Sequence, residues 1–159
     1  MAQVTLITVG SLKEKYLTDA AAEYKKRLSL FAKCDEIELK EEKILNEDDR
    51  AEIARALDRE AEKILASMPK DALKIALCVE GKQYSSEELA ALVGRGVDTQ
   101  GKICLVIGSS HGLSDRVKSA CDVRLSFSRL TFPHQLMRVV LLEALYRSFT
   151  ILAGKRYHK

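Results

Sequence analysis

Short apolar runs alternate with longer amphipathic segments along the whole chain, and this alternation restricts the fold more than any single motif. Two continuous apolar runs, 73–79 and 103–107, are typical of strands that are buried on both faces of a sheet. Apolar residues recur at helical spacing in 16–31 and in 46–67. The pattern predicts an α/β sandwich with a mostly parallel central sheet, formed by one domain over residues 1–159.

Residue types at the segment ends predict where the other elements begin and stop. Residues 3–9 predict a first buried strand, whereas 34–39 alternates between apolar and charged residues, as an edge strand does. Asn46, followed by three acidic residues, predicts the N-cap of the second helix. The third helix begins after Ser85, and the glycines at 94 and 96 predict its end.

Composition narrows the functional class without fixing it. Lys and Arg number 26 against 23 Asp and Glu, which gives a formal charge of +3 that suits an RNA partner but does not require one. The four cysteines form no C-x-x-C pair, so reduced thiols are expected, and Cys78 and Cys104 lie within the apolar runs. The first residues lack the pattern of a signal peptide, which predicts a cytoplasmic protein.

Two stretches near the carboxyl ends of predicted strands can line a ligand site. Residues 79–82 and 108–112 each follow an apolar run and contain glycine, but neither matches a phosphate-binding motif. The loop 126–133 mixes large apolar residues with hydroxyls, which is unusual for a surface turn. We therefore expect it to be packed, and a planar ligand such as a purine can lie between Leu130 and Phe132.

The last predicted helix runs from Pro133 to about Leu152 and is apolar on nearly every side. A small monomer cannot easily cover such a helix. Three charged residues, Arg138, Glu143 and Arg147, argue against a membrane span. The pattern predicts a homodimer interface in addition to core packing.

The C-terminal tail places Tyr157 and His158 among lysines and an arginine. Such a tail is often disordered, but these residue types can also hold a phosphate, stack on a base and move a proton near neutral pH. His111 and His134 are better interpreted as hydrogen-bonding loop residues than as bases. The three histidines have no metal-ligand spacing, and we expect no metal.

A set of motifs in the second half of the chain resembles one family. They are Leu105-Val106-Ile107-Gly108, Gly112-Leu113-Ser114, Leu125-Ser126-Phe127-Ser128, Thr131-Phe132-Pro133-His134-Gln135, Met137-Arg138, Glu143, Leu145-Tyr146-Arg147 and Tyr157-His158-Lys159. With the Val9-Gly10 start and the Glu80-Gly81-Lys82 segment, they resemble the ribosomal RNA large subunit methyltransferase H family, a group of small SPOUT-class enzymes. The resemblance covers the full chain. It departs at Ser109, where the family often has a second glycine, and at His111.

The resemblance implies a fold, an activity and a set of site residues. The fold is a SPOUT-type α/β knot, a C-terminal trefoil. The activity is S-adenosylmethionine-dependent methylation of N3 of a pseudouridine in 23S ribosomal RNA of the assembled 70S ribosome. Cofactor contacts of the family fall on Leu77, Gly108, Phe127, Ser128, Arg129, Leu130, Thr131 and Phe132.

The C-terminal tail has an expected role in the same reaction. His158 is the candidate for assisting loss of the N3 proton, and Tyr157 is expected to position the base. Arg138, Arg147 and Lys159 are expected to meet RNA phosphate, with the tail supplied by the partner subunit. The alternative is a ribosome-associated RNA-binding protein of the same fold that has no catalytic activity. The apolar loop 127–132 favours the enzyme, because an RNA-binding surface would hold more basic and aromatic residues there.

Overall fold

The computed structural model describes all residues, Met1–Lys159, as five strands and five helices. The strands are β1 (Ala2–Val9), β2 (Ala32–Leu39), β3 (Leu73–Gln83), β4 (Lys102–Ile107) and β5 (Val123–Ser126). The helices are α1 (Lys15–Leu28), α2 (Arg50–Ser67), α3 (Ser86–Gln100), α4 (Asp115–Ala120) and α5 (His134–Leu152).

The strands form one sheet in the order β2-β1-β4-β3-β5, and every neighbouring pair is parallel. The apolar strand β4 lies in the middle, with Ile103 to Ile107 all buried. The strand with alternating polarity, β2, lies at an edge, as its pattern predicts. The predicted parallel α/β architecture is therefore confirmed, whereas the trefoil knot stays a prediction. Because all strands run the same way, their carboxyl ends meet along one edge of the sheet.

Two hydrophobic cores cover the two faces of the sheet. On one face, α1, α3 and α5 bury an 18-residue cluster that includes Leu28, Val93 and Leu145. On the other, α2 and α4 bury a smaller cluster of 10 residues that includes Ile64 and Val117. None of the five helices is long and apolar enough to cross a membrane.

Two predicted helix boundaries were wrong. Asp49, and not Asn46, caps α2, because its carboxylate accepts hydrogen bonds from the backbone N–H groups of Ala51 and Glu52. Helix α3 continues past Gly94 and Gly96 and ends at Gly101, which adopts the left-handed conformation with φ +70°.

The glycines within α3 serve packing. A methyl group on Gly94 would lie 3.0 Å from a Leu152 methyl carbon, and one on Gly96 would lie 2.8 Å from Leu73. Both glycines therefore let neighbouring side chains approach the helix backbone closely.

Candidate active site at the carboxyl edge of the sheet

The turn after β4 is closed tightly on itself. The Gly112 N–H donates to the Ser109 carbonyl oxygen at 2.8 Å, and a methyl group on Gly108 would lie only 2.6 Å from the Gly112 carbonyl carbon. Position 108 therefore has no room for a side chain. At this position the turn presents backbone, and not a side chain, to the space beyond β4.

Ser109 is tied to the interior by a buried carboxylate. Its hydroxyl donates to Oε1 of Glu60 on α2 at 3.1 Å, and the second oxygen of Glu60 accepts the Glu42 backbone N–H at 2.9 Å. Glu60 is 4% exposed. Burial raises the pKa of this carboxyl, although the two hydrogen bonds oppose that rise. The serine that replaces the family's second glycine thus anchors the turn to α2.

The apolar loop after β5 forms the facing wall. The Ser126 hydroxyl donates to the Ser128 carbonyl oxygen at 3.0 Å, and the Ser128 hydroxyl accepts the Leu130 N–H at 3.1 Å. These bonds satisfy loop backbone groups that no strand partner reaches. The expectation of a fully packed loop was too strong: Phe127 and Phe132 are half-buried, but the Leu130 side chain is 70% exposed beside the cavity.

Between the turn and the loop lies a cavity of about 270 Å³. We call it the turn-and-loop cavity. About half of its lining residues are hydrophobic. They come from β3, the end of β4 and the turn after it, α4, β5 and the loop after it, and the start of α5: Leu77, Cys78, Val79, Glu80, Ile107, Gly108, Ser109, Ser110, His111, Gly112, Leu113, Lys118, Leu125, Ser126, Phe127, Ser128, Leu130, Thr131, Phe132, His134 and Met137. Of the eight predicted cofactor contacts, all except Arg129 line it. Arg129 lies on the exposed outside of the loop.

One ion pair lies within this otherwise weakly charged cavity. The Lys118 ammonium of α4 pairs with the Glu80 carboxylate of β3. That hydrogen bond lowers the pKa of Glu80, so Glu80 is a carboxylate at neutral pH. Burial instead raises the pKa of the neighbouring Cys78 thiol, which therefore stays protonated and is no nucleophile. The cavity suits an amphipathic ligand with an apolar ring and a zwitterionic end.

The predicted catalytic tail lies elsewhere on the same chain. The Tyr157 hydroxyl donates to Glu143 at 3.1 Å, and His158 lies 2.8 Å from Glu87 and 3.1 Å from Arg147 through its two ring nitrogens. The tail is ordered by these contacts against α5 and α3, and neither residue lines the turn-and-loop cavity of its own chain. Lys159 is exposed.

The two predicted RNA-binding arginines differ in accessibility. Arg147 stacks over the Tyr157 ring at 4.8 Å, pairs with Glu143 and remains partly exposed. Arg138 is 2% exposed, and its guanidinium donates to Glu38 at 2.7 Å and to the Gly10 carbonyl oxygen at 2.9 Å. A phosphate would have to displace Glu38 to reach it, so in this chain Arg138 links α5 to the ends of β1 and β2.

Sequence reasoning missed Glu60 and Lys118. Glu60 lies three residues after Leu57 and four before Ile64, so it occupies the apolar stripe of α2, and a charge there was a signal of burial. Lys118 gave no such signal, because only the fold brings α4 beside β3. No group of three or more His, Cys, Asp and Glu side chains is arranged to hold a metal ion.

Comparisons with known proteins agree with this geometry. A family model described as a predicted SPOUT methyltransferase matches residues 2–158. The chain is 50% identical over 158 residues to the ribosomal RNA large subunit methyltransferase H of Bacillus pumilus, covering 98% of this chain and 99% of that protein. Identity to the protein of the same name from Listeria monocytogenes is 48% over 158 residues, covering 98% and 99%.

A more distant likeness concerns the fold alone. The crystal structure of a probable methyltransferase from Bordetella pertussis superposes with a TM-score of 0.59 at 16% identity, covering 93% of this chain and 95% of that one.

Proposed function

Because this chain belongs to the SPOUT methyltransferase family, we propose that it transfers a methyl group from S-adenosylmethionine to N3 of a pseudouridine in 23S ribosomal RNA of the assembled ribosome. The resemblance to the methyltransferase H family is confirmed, and the chain is a methyltransferase. The proposed substrate rests on one observation. Over nearly its full length the chain is about 50% identical to relatives whose names specify large-subunit ribosomal RNA.

The turn-and-loop cavity fits the methyl donor. Gly108 leaves bare backbone at its position in the turn, so a ligand can approach it closely, and Phe127 and Phe132 offer apolar surface to a purine. Lys118 and Glu80 offer opposite charges that match a carboxylate and an ammonium group. When bound, S-adenosylmethionine supplies a methyl group made electrophilic by its sulfonium.

A homodimer is part of the proposal. On α5, Leu136 is 39% exposed, and Val140, one turn further along the same side of the helix, is only half-buried. Apolar side chains grouped on one helix face gain free energy when a second copy covers them. The tail lies beside this face, so pairing through α5 would bring the Tyr157-His158 segment of one subunit toward its partner.

Across such an interface the tail would act on RNA. Arg147, Tyr157 and Lys159 combine cations with an aromatic ring, the residue types that hold phosphate and stack on a base. His158 could take part in the chemistry only at the site of a second subunit, because it lies outside the turn-and-loop cavity of its own chain.

Two measurements test the proposal. Calorimetry with S-adenosylmethionine should give one site per chain, and Gly108→Ala should weaken that binding at least about tenfold. Mass spectrometry of nucleosides from 23S ribosomal RNA should then show one added methyl on pseudouridine after incubation with 70S ribosomes, and less with free RNA. Absence of cofactor binding by the wild-type chain would favour a ribosome-binding protein without catalytic activity.

A further inference from the structure

A second cavity lies at the carboxyl ends of β1 and β2, beside the turn-and-loop cavity. We call it the polar cavity; it has a volume of about 450 Å³. It is lined by Gly10, Ser11, Lys13, Glu38, Leu39, Lys40, Glu41, His134 and Gln135. Of these, only Leu39 is hydrophobic. Such a lining does not suit the apolar part of a methyl donor, but it suits a polar ring that carries a phosphate.

The two cavities share a wall. His134, the first residue of α5, lines both of them. The Ser110 hydroxyl of the glycine turn donates to Glu41 of the polar cavity at 3.3 Å. Beneath that contact, the buried Glu60 binds both Ser109 and the Glu42 backbone. Ligands in the two cavities would therefore meet at His134 and Glu41.

Hydrogen bonds from Arg138 and to Gln135 hold the walls of the polar cavity in place. The buried Arg138 guanidinium donates to the Gly10 carbonyl oxygen and to the Glu38 carboxylate, which lie on the ends of β1 and β2. The Lys13 backbone N–H donates to Gln135 Oε1 at 3.0 Å, which leaves the amide NH₂ of Gln135 as a donor. This cavity is thus held open by the native contacts of the chain.

The His134 Nε2 and Glu41 Oε2 atoms lie on the same side of Gly10. A methyl group built on Gly10 would lie 3.6 Å from His134 Nε2 and 3.7 Å from Glu41 Oε2. Gly10 has φ +95°, so the backbone itself also favours glycine there. Both residues line the polar cavity, so a ligand N–H bound in the cavity beside Gly10 would face an imidazole nitrogen and a carboxylate oxygen.

We propose that the polar cavity holds the methyl-accepting nucleotide, and that His134 accepts the N–H of its base. This proposal rests on the proposed methyltransferase function. Lys13 and Lys40 supply positive charge for the phosphate, and the Gln135 amide donates to a ring carbonyl oxygen. His134 lies at the boundary because the reacting nitrogen must face the cavity that holds the methyl donor.

The proton balance of the step assigns His134 a catalytic role. The N–H bond of the acceptor breaks, its electron pair remains on nitrogen to form the new N–C bond, and the proton passes to His134 Nε2. The electron pair of the broken S–C bond stays on sulfur. Histidine is suited to this transfer because imidazole exchanges protons near neutral pH.

Nucleotide binding gives a readout that is independent of turnover. Pseudouridine 5′-monophosphate titrated into the ¹⁵N-labelled full-length protein, with S-adenosylhomocysteine present, should shift the amide signals of Gly10, Lys40, Glu41 and Gln135 in a saturable way. The double variant Lys13→Ala, Lys40→Ala should weaken these shifts, whereas Lys33→Ala, at the amino end of β2, should not. Shifts confined to residues 157–159, or none at all, would overturn the proposal.

Substitutions of His134 and Glu41, which lie between the two cavities, test the proposed proton transfer. His134→Gln retains an acceptor but cannot take a proton in the same way, so methylation of 70S ribosomes should fall by about 100- to 10,000-fold. Glu41→Gln should weaken nucleotide binding, while calorimetry should still detect cofactor binding. This variant tests the polar cavity if His134→Gln fails to fold. Wild-type turnover in a folded His134→Gln protein would refute the role of this residue.

The outcomes separate this inference from the proposed function. If the wild-type chain binds no S-adenosylmethionine, the proposed function itself fails. If the wild-type chain binds cofactor and methylates ribosomes, but both wall variants bind nucleotide and turn over like wild type, only the polar cavity is wrongly assigned.

Discussion

The Ser109 hydroxyl donates a 3.1 Å hydrogen bond to the buried Glu60 carboxylate, which joins the turn after β4, a wall of the turn-and-loop cavity, to helix α2. Removing that hydroxyl leaves one oxygen of a 4% exposed carboxylate without its donor. Ser109→Ala should therefore lower the free energy of unfolding by about 1–3 kcal/mol, measured by urea denaturation at pH 7.5. Ser110→Ala, on the exposed neighbour, should change it by less than about 0.5 kcal/mol. Equal effects of the two substitutions would contradict the anchoring role of Ser109.

The buried carboxyl of Glu60 also predicts that the free energy of unfolding depends on pH. Burial raises the pKa of Glu60 in the folded protein, so the folded state binds this proton more tightly than the unfolded state. The stability that this group contributes is therefore fully present below its unfolded pKa and is lost as pH rises through its folded pKa. Glu60→Gln cannot ionise, so its stability relative to wild type should be more favourable at pH 7.5 than at pH 4.5. Urea denaturation at both pH values measures this, and an unchanged difference would contradict it.

Gly108 should be the position of the turn that is most sensitive to a single methyl group. Gly108→Ala places a carbon 2.6 Å from the Gly112 carbonyl carbon, so the turn must open and cofactor affinity should fall at least about tenfold. Gly101→Ala is the matched control, because Gly101 has φ +70°, lies far from the cavity and would meet no atom within 4 Å. It should cost about 1 kcal/mol of stability through backbone strain and leave cofactor affinity unchanged. Calorimetry separates the two effects.

Much of the fold was predictable because the central strands β1 and β4 are largely buried and the strand runs are mostly apolar. The strands β1, β3 and β4 lie where those runs predict them, although β3 extends to Gln83 through Gly81, where a methyl group would lie 2.7 Å from the Arg124 carbonyl oxygen. The end of α3 was mispredicted at Gly94 or Gly96, because a glycine that ends a helix and one that admits a neighbouring side chain look the same in a sequence.

The site was predictable only in part. Seven of the eight residues predicted through family motifs to contact the cofactor line one cavity. The relationship of His134 to Gly10 was beyond prediction, since the two residues are brought together only by the packing of α5 against the ends of β1 and β2. Arg138, which was predicted to meet RNA, is buried against Glu38, and the sequence of α5 gave no sign of this partner 100 residues away.

The exposed apolar side chains of α5 predict how the dimer can be broken. Leu136→Glu places a charge on the face proposed to pair, and burying it there would be unfavourable. Light scattering at micromolar concentration should give about twice 17.8 kDa for the wild type and a mass near 17.8 kDa for the variant. Leu45→Glu is the control, because Leu45 is 80% exposed and its backbone N–H is bonded to Glu52 of α2, on the opposite face of the sheet from α5, so it should leave the dimer intact. A wild-type mass near 17.8 kDa would contradict the dimer.

Mixed dimers can decide whether the tail acts on the partner's site. In one chain His158 is held by Glu87 and Arg147 outside its own turn-and-loop cavity. The test uses a mixed dimer of two variant chains. One chain carries Gly108→Ala, which impairs cofactor binding, and the other carries His158→Ala, which impairs the tail. The Gly108→Ala homodimer should bind cofactor poorly. The His158→Ala homodimer should keep cofactor binding but lose methylation of 70S ribosomes.

If the tail completes the partner's site, a mixed dimer combines one intact cavity with the intact tail of the other chain. Mixed dimers isolated by two different affinity tags should then recover about half of the wild-type activity, because one of the two symmetric sites is complete. If His158 serves its own chain, neither site is complete and the mixed dimer stays inactive. Wild-type turnover by the His158→Ala homodimer would instead remove His158 from the chemistry and leave the proton to His134.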